Sequence, residues 1–351
     1  MMQIAEFFYP YPTRLWQLCK QLGVNHAVTM LPYETPAPEQ NAPRSWAACH
    51  GQQSLAEAPR DADGHYPWSL EALAQVQARY AAGGLTLSVI ESSPPMEKVR
   101  RGLPGRDEEI EQVTVMLRAM GQLGIGVWCY NFLAIATWGR TSFTTPTRGG
   151  ALVTAFRAAD VPAAPRNAPA ETDLTHEKLW DNLRYFLERV VPVAEAARVR
   201  LALHPDDPPV PYVGQVPRII NTVEAFQRVF DLAPSPANAI TLCQGNFALM
   251  TDDLPGVIRH FGEQGKIAFV HLRDVRGTAA DFQETFHDDG PTDLLACLRA
   301  YRDVGFNGVL RPDHVPTLAG EANDAPGYAA LGRLHAIGYI RGLSEAVNGR
   351  A

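Results

Sequence analysis

No apolar run in this 351-residue chain approaches the roughly 20 residues that a membrane-spanning helix needs. The opening Met1-Met2-Gln3-Ile4-Ala5-Glu6 has neither the basic start nor the apolar core of a secretory signal. A cytoplasmic protein without a membrane partner is therefore expected. Basic charge is also scarce: 31 Lys and Arg stand against 38 Asp and Glu, a formal charge of -7. That excludes the broad basic footprint expected of a nucleic-acid-binding surface, but not a small anionic substrate held by a local arginine. Cysteine is sparse and scattered. Cys19, Cys49, Cys129, Cys243 and Cys297 make an odd set with no C-x-x-C pair, which is no disulfide framework and suits a reducing compartment.

What is present is an ordinary globular balance, 46% hydrophobic and 20% charged, with ample material for a core. Short β-rich apolar runs lie over residues 4–9, 26–31, 85–91, 127–132, 200–204, 239–243, 267–271 and 308–311. Helical stretches follow them over residues 13–22, 69–81, 107–123, 176–197, 222–230, 254–261, 292–303 and 326–347. Ser69 and Asp107 read as N-caps, and Pro326 as a first helical residue. Ala81-Ala82-Gly83-Gly84 reads as a helix stop. Eight alternations without a hairpin signal predict a parallel sheet closed into a single (β/α)8 TIM barrel spanning 1–351. A doubly wound open sheet is the alternative, but no G-x-G-x-x-G follows the first strand.

Two stretches fall outside the repeat, about 32–68 after the second strand and 134–175 after the fourth. Each has too few apolar residues for a core of its own. They are expected to sit over the barrel mouth as lids or as contacts of a homodimer.

The strand ends carry the chemistry. The fifth reads Arg200-Leu-Ala-Leu-His204-Pro-Asp206-Asp207, the sixth Ala239-Ile-Thr-Leu-Cys243-Gln244-Gly245-Asn246. The seventh reads Ala268-Phe-Val-His271-Leu-Arg273-Asp274, the eighth Gly308-Val-Leu-Arg311-Pro-Asp313-His314. In a barrel these C-terminal ends converge on one mouth. His204, Cys243, His271 and Asp313 then form a donor set for one divalent transition metal, the thiolate favouring Mn, Fe or Zn over Mg. Arg273 and Arg311 are candidates for a bidentate grip on a substrate carboxylate, or for ion pairs with Asp274 or Asp206. Asn131 is placed to hold a hydroxyl. Glu91 can act as ligand, base or supporting partner, while Glu284 and His287 can orient substrate or the arginines. Asp206-Asp207 reads as a structural turn rather than a catalytic pair. Cys243 lacks the surroundings of a nucleophile, and Phe7, Phe8, Tyr9 and Tyr11 read as core and rim.

These residues together resemble the mannonate dehydratase family, a group of xylose-isomerase-like TIM barrels. The likeness rests on His204-Pro-Asp-Asp-Pro-Pro, Cys243-Gln-Gly, Val270-His271-Leu-Arg273, Arg311-Pro-Asp313-His314 and Pro326-Gly327-Tyr328. Cys129-Tyr-Asn131-Phe and Arg140-Thr extend it to the middle of the chain, while the first 80 residues add little. The resemblance implies metal ligation by His204, Cys243, His271 and Asp313, usually of Mn(II) or Fe(II), and acid–base roles around His314 and Tyr328. It implies dehydration of D-mannonate to 2-keto-3-deoxy-D-gluconate. Two departures concern the substrate side. Asp313-His314 continues as Val315-Pro316 where the family has glycine and a further histidine, and Ala136-Thr137-Trp138 lacks an expected acidic residue. The alternatives are a sugar isomerase or epimerase on the same barrel and a non-catalytic sugar-acid-binding homologue. Cys243 weighs against the first, because such enzymes favour carboxylate-rich metal shells. The complete set of candidate groups weighs against the second.

Overall fold

The computed structural model describes residues 2–32, 54–135, 139–162 and 173–349. Eight strands close into a parallel barrel: β1 (Gln3–Phe7), β2 (His26–Thr29), β3 (Thr86–Ile90), β4 (Val127–Tyr130), β7 (Arg200–Leu203), β10 (Asn238–Cys243), β11 (Ile267–Leu272) and β14 (Val309–Pro312). Their order around the barrel follows the chain, with β1 pairing both β2 and β14. Every residue of β10 and β11 is buried, as expected of strands covered on both faces. Inward residues are Ala5, Phe7, Val28, Val89, Cys129, Ala202, Ala239, Phe269 and Val309, so the interior is filled with side chains rather than open. Outward residues such as Trp128, Leu201, Leu242, Val270 and Leu310 join the larger cluster beneath the helices.

The helices run over Arg14–Gln21, Leu70–Ala82, Arg106–Leu123, His176–Ala197, Val223–Leu232, Leu254–Glu263, Leu294–Asp303 and Ala330–Asn348. Hydroxyl caps set several starts: Ser69 accepts from Ala72 N, Thr175 from Lys178 N and Thr222 from Ala225 N. Gly83 ends the second helix. Two start signals are corrected. Asp107 lies inside the first turn, and Gly105, at φ +89°, takes the cap position because only a left-handed residue turns the chain there. Pro326 precedes the last helix, which begins at Ala330. Among the described residues, no helix is long and apolar enough to cross a membrane. Cys19, Cys129, Cys243 and Cys297 are buried and free, while Cys49 and residues 136–138 lie outside the described residues.

The expectation of no hairpins fails at the barrel mouth. The second insertion forms β5 (Ser142–Pro146) and β6 (Leu152–Arg157), and the loop after β11 forms β12 (Val275–Thr278) and β13 (Asp281–Glu284). They join as one antiparallel sheet in the order β12-β13-β6-β5. A small hairpin, β8 (Tyr212–Val213) and β9 (Val216–Pro217), follows β7. These strands are only two to six residues long, and among them only β6 carries a sustained apolar run, so a period-2 pattern does not stand out in the sequence. Phe156, Phe282, Val275, Val210 and Val213 give this cap its own small apolar cluster.

A short helix, Glu97–Arg101, follows β3 and also escaped the sequence pattern. Its first turn is held by the Glu109 carboxylate, which accepts from Val99 N at 3.0 Å. The fully buried Arg100 donates to both the backbone and side-chain oxygens of Asn131 at the exit of β4. Burial pushes the Glu109 carboxyl up to about 7, against the pull of its amide donors and Arg100. The folded chain therefore keeps this proton to about pH 7, while the unfolded chain releases it near the ordinary carboxylate value. Stability from the neutral form is present at acid pH and is lost as pH rises through about 7. The shift corresponds to about 3 kcal/mol at pH 8. Glu109→Gln keeps the accepting oxygen without the charge. Its melting temperature should match the parent at pH 4 to 5 and exceed it by a few degrees at pH 8. Equal melting curves at both pH values would contradict this account of the buried carboxyl.

Candidate active site

Parallel register delivers neighbouring side chains to the mouth: Cys243 pairs with His271, and His271 with Arg311. His204 and Asp313 lie one residue past β7 and β14, their amides extending the ladders to Tyr130 O and Leu272 O. One potential ligand atom from each of His204, Cys243 and His271 lies within 4.8 Å of the others. Asp313 Oδ2 closes the group, 3.5 Å from His271 Nδ1 and 4.0 Å from Cys243 Sγ. The structure thus brings all four proposed ligands together.

The electrostatic state of the four suits cation binding. His204 Nδ1 lies 2.7 Å from Pro205 O, which places its proton on Nδ1 and the lone pair on Nε2. Burial, reinforced by His271, lowers His204 to about 3, and burial and Arg311 also lower His271. Both imidazoles are neutral at pH 7. The His271 ring nitrogens are buried and face carboxylates at long range, Nδ1 3.5 Å from Asp313 and Nε2 3.3 Å from Glu91. Burial alone would raise Asp313, but His314 and Arg311 hold it well below the usual carboxylate range. Burial pushes the Cys243 thiol up to about 12, so it carries its proton until a cation displaces it. Two imidazoles, a thiol and a carboxylate converging in one buried pocket fit a divalent transition metal.

Around these four runs a chain of buried ion pairs. Glu91 receives Arg311 through two nitrogens, at 2.8 and 3.1 Å, and lies 3.3 Å from His271 Nε2. Burial would raise Glu91, yet Arg311 and His271 bring it to about 2; it supports its neighbours and is a poor base. Arg273 donates to Asp207 at 2.8 Å and also to Asn246 Oδ1. Arg311 also meets Asp313 at 3.0 Å and Pro312 O. Neither arginine presents an open two-nitrogen face to a substrate carboxylate. Their partners are Asp207, Glu284, Asp313 and Glu91, not the Asp274 or Asp206 that sequence adjacency suggested. Asp274 is instead taken up by Thr292 and Val275 N.

Two contributors were missed. Arg140, from the second insertion, is fully buried and reaches Asp207 at 2.6 Å and Glu284 at 2.7 Å. Asp207 was read as part of a turn. It does point away from Asp206, whose carboxylate accepts from Ile220 N, but it lines the cavity. The sequence signal was its place three residues beyond His204.

The cavity is lined by Phe7, Glu91, Ser92, Ser93, Cys129, Asn131, His204, Asp207, His271, Arg273, Arg311, Asp313, His314 and Tyr328, among others. His287 is not among them. It is buried, with Nε2 2.6 Å from Leu272 O at the end of β11, so the ring is taken up by a backbone carbonyl. His314 has φ +41°, a left-handed conformation that costs a non-glycine residue about 1–2 kcal/mol. Its Nδ1 lies 2.7 Å from Arg273 Nη1 and 2.9 Å from Glu284 Oε1. The chain returns through Val315, which bonds Gly327 O, and sets Tyr328 edge-on to His314 with ring centres 5.6 Å apart. Val315 of the divergent Val315-Pro316 pair packs against the last helix at Gly332 rather than facing the cavity.

The profile of the family described as D-mannonate dehydratase (UxuA) matches residues 51–169 and 166–351. Mannonate dehydratase 2 of Halalkalibacterium halodurans is 35% identical over 307 residues, covering 80% of this chain and 88% of that protein. The crystal structure of mannonate dehydratase from Streptococcus suis serotype 2 superposes with a TM-score of 0.84 at 31% identity, covering 99% of this chain and 93% of that one. D-psicose 3-epimerase from Clostridium cellulolyticum H10, at 15% identity and TM-score 0.57 with 99% of each chain covered, shares the fold alone. The chain, with its closed eight-stranded barrel and converging strand ends, belongs to the mannonate dehydratase family.

Proposed function

We propose that this sugar-acid dehydratase converts D-mannonate to 2-keto-3-deoxy-D-gluconate and water, with one Mn(II) or Fe(II) held by His204, Cys243, His271 and Asp313. The observation that carries the reading is the convergence of these four side chains from four consecutive barrel strands beside a Tyr–His pair. The same reading takes 1–351 as one catalytic domain working in the cytoplasm, with the two insertions as the place to look for a dimer contact. A divalent metal supplies Lewis acidity toward the substrate and neutralises charge that develops as oxygen departs.

The chain's own groups must move two protons, one off C2 beside the carboxylate and one onto the C3 hydroxyl as it leaves. In this reading Tyr328 is the donor, because its phenol is protonated at neutral pH and stands beside His314 at the cavity wall. His314 is the base. Its Nδ1 is engaged by Arg273 and Glu284, so proton transfer falls to Nε2. Asn131, braced by Arg100, offers an amide to a substrate hydroxyl. Arg273 and Arg311 act on the substrate's charge as part of the surrounding field rather than through an open fork.

Metal-loaded protein incubated with a panel of aldonic acids should release a 2-keto-3-deoxy acid, fastest from D-mannonate; silence across the whole panel would sink the activity. Titration calorimetry should give one Mn(II) per chain. Cys243→Ser should weaken softer metals most, since a hydroxyl replaces an ionisable thiol. A Mn(II)-soaked crystal with the four side chains far from a common centre would overturn the ligand set. His314→Asn and Tyr328→Phe should each keep metal occupancy while lowering turnover by about 10²-fold or more. Near-parental single-turnover rates in both would move the proton chemistry to other residues.

A further inference from the structure

Tyr328 is walled on three sides. Phe7 lies against it with ring centres 6.2 Å apart, His314 edge-on at 5.6 Å, and the guanidinium carbon of Arg333 at 5.3 Å from its centroid. Arg333 stands one turn into the last helix and is 3% exposed, so its charge must be satisfied inside the protein. Its Nη1 donates to Phe7 O at 2.9 Å and lies 3.7 Å from Glu6 Oε1. Glu6 is 1% exposed, and its Oε1 accepts from Phe7 N at 2.7 Å. The first strand and the last helix are thus tied together directly beneath the tyrosine. None of the proton transfers described above uses this buried pair.

We propose that Arg333, anchored by Phe7 O and Glu6, is a positioning residue that fixes the ring of Tyr328 against the cavity. A cation near the aromatic face attracts the ring through its quadrupole. The planar guanidinium is a rigid wall that a flexible ammonium would not reproduce. Phe7 supplies both the carbonyl that anchors Arg333 and a ring that faces Tyr328, so a shift of the arginine is transmitted to the tyrosine from two sides. The remote pair thereby sets where the phenolic oxygen points, and small misplacements of a catalytic group carry large rate costs.

This inference rests on Tyr328 taking part in the reaction, and the test separates the two. Arg333→Met alone would strand the Glu6 carboxylate, so the informative variant is the double Glu6→Gln/Arg333→Met, with Arg333→Lys beside it. Each is made in the parent and in Tyr328→Phe, loaded with Mn(II) and assayed with D-mannonate. The double variant should lower kcat about tenfold or more, leave the Mn(II) dissociation constant within about threefold, and change KM little. Arg333→Lys should restore part of the loss. In the Tyr328→Phe background the same changes should cost less than about twofold, because the group they position is already gone. Equal losses in both backgrounds, or no loss in the parent while Tyr328→Phe is impaired, would overturn the positioning role. Loss of Mn(II) binding would do the same by marking the pair as general scaffolding. If Tyr328→Phe alone turns over at the parental rate, the role of Tyr328 itself fails.

Discussion

Arg140, Arg273 and Arg311 lie buried in one layer at the barrel mouth together with Glu91, Asp207, Glu284 and Asp313, and each group meets at least one of opposite sign. Charges withdrawn from water this completely are tolerated only when paired and hydrogen-bonded, and removing one partner typically costs 3–5 kcal/mol. The constraint explains much of what surrounds the site. Gly245 is required because a β-carbon there would overlap the Arg273 side chain. Asn246 is the next residue, and its side chain ties Arg273 to Asp206 O. From the cap, Arg140 and Glu284 meet Asp207 and His314. The layer holds one carboxylate more than it holds guanidinium groups, and the imidazoles of His204 and His271 are neutral. Such a balance favours a dication among the four proposed ligands and disfavours an anion arriving without one.

The same network supports the strain at His314. Its left-handed backbone persists because Glu284 and Arg273 fix the ring, Val315 bonds Gly327, and Leu152 pairs with Thr317 just beyond. An unusual conformation that several independent contacts hold is a means of aiming a side chain. The direction here is toward Tyr328 and the cavity. The cap hairpin is therefore coupled to His314 through backbone bridges as well as through Arg140, so the second insertion is part of the site's rigidity.

The barrel was legible because each strand is a short run buried on both faces, bounded by capped helices whose hydroxyls do what their residue types favour. The proposed ligands were legible for the same reason. A strand's last residue has a defined place in a barrel, so His204, Cys243, His271 and Asp313 could be placed at one mouth from spacing alone. Arg140 and Asp207 could not. One comes from a polar insertion and the other from a turn, and their meeting depends on contacts far apart in sequence. The arginines show the limit most clearly. Strand-end position identified Arg273 and Arg311 as cations at the mouth, but not that Glu284 of β13, Asn246, and carboxylates from the loops after β3, β7 and β14 already engage them. His287 had the right residue type in the right loop, and the fold turned it onto a backbone carbonyl.

This occupancy bears on how a sugar acid can be chosen. With both guanidinium forks engaged, discrimination within the proposed reaction has to come from groups that remain directional at the cavity wall. Asn131 is braced by Arg100, which in turn depends on the short helix after β3 and on Asn182, whose amide bonds Arg100 O. Ser92, at the end of the same strand, is fixed by accepting from Leu31 N. A polyhydroxy acid presents its configuration as a pattern of hydroxyl directions. A wall of pre-oriented amide and hydroxyl groups rejects a mismatched pattern by leaving buried polar atoms unpaired, a stronger penalty than a loose fit of apolar surface. Within the proposed reaction, the pre-oriented groups that can read the hydroxyls lie at the β3 and β4 exits, away from the Val315-Pro316 segment. That segment packs against the last helix beside His314 and Tyr328, and Val315 is not part of the cavity wall.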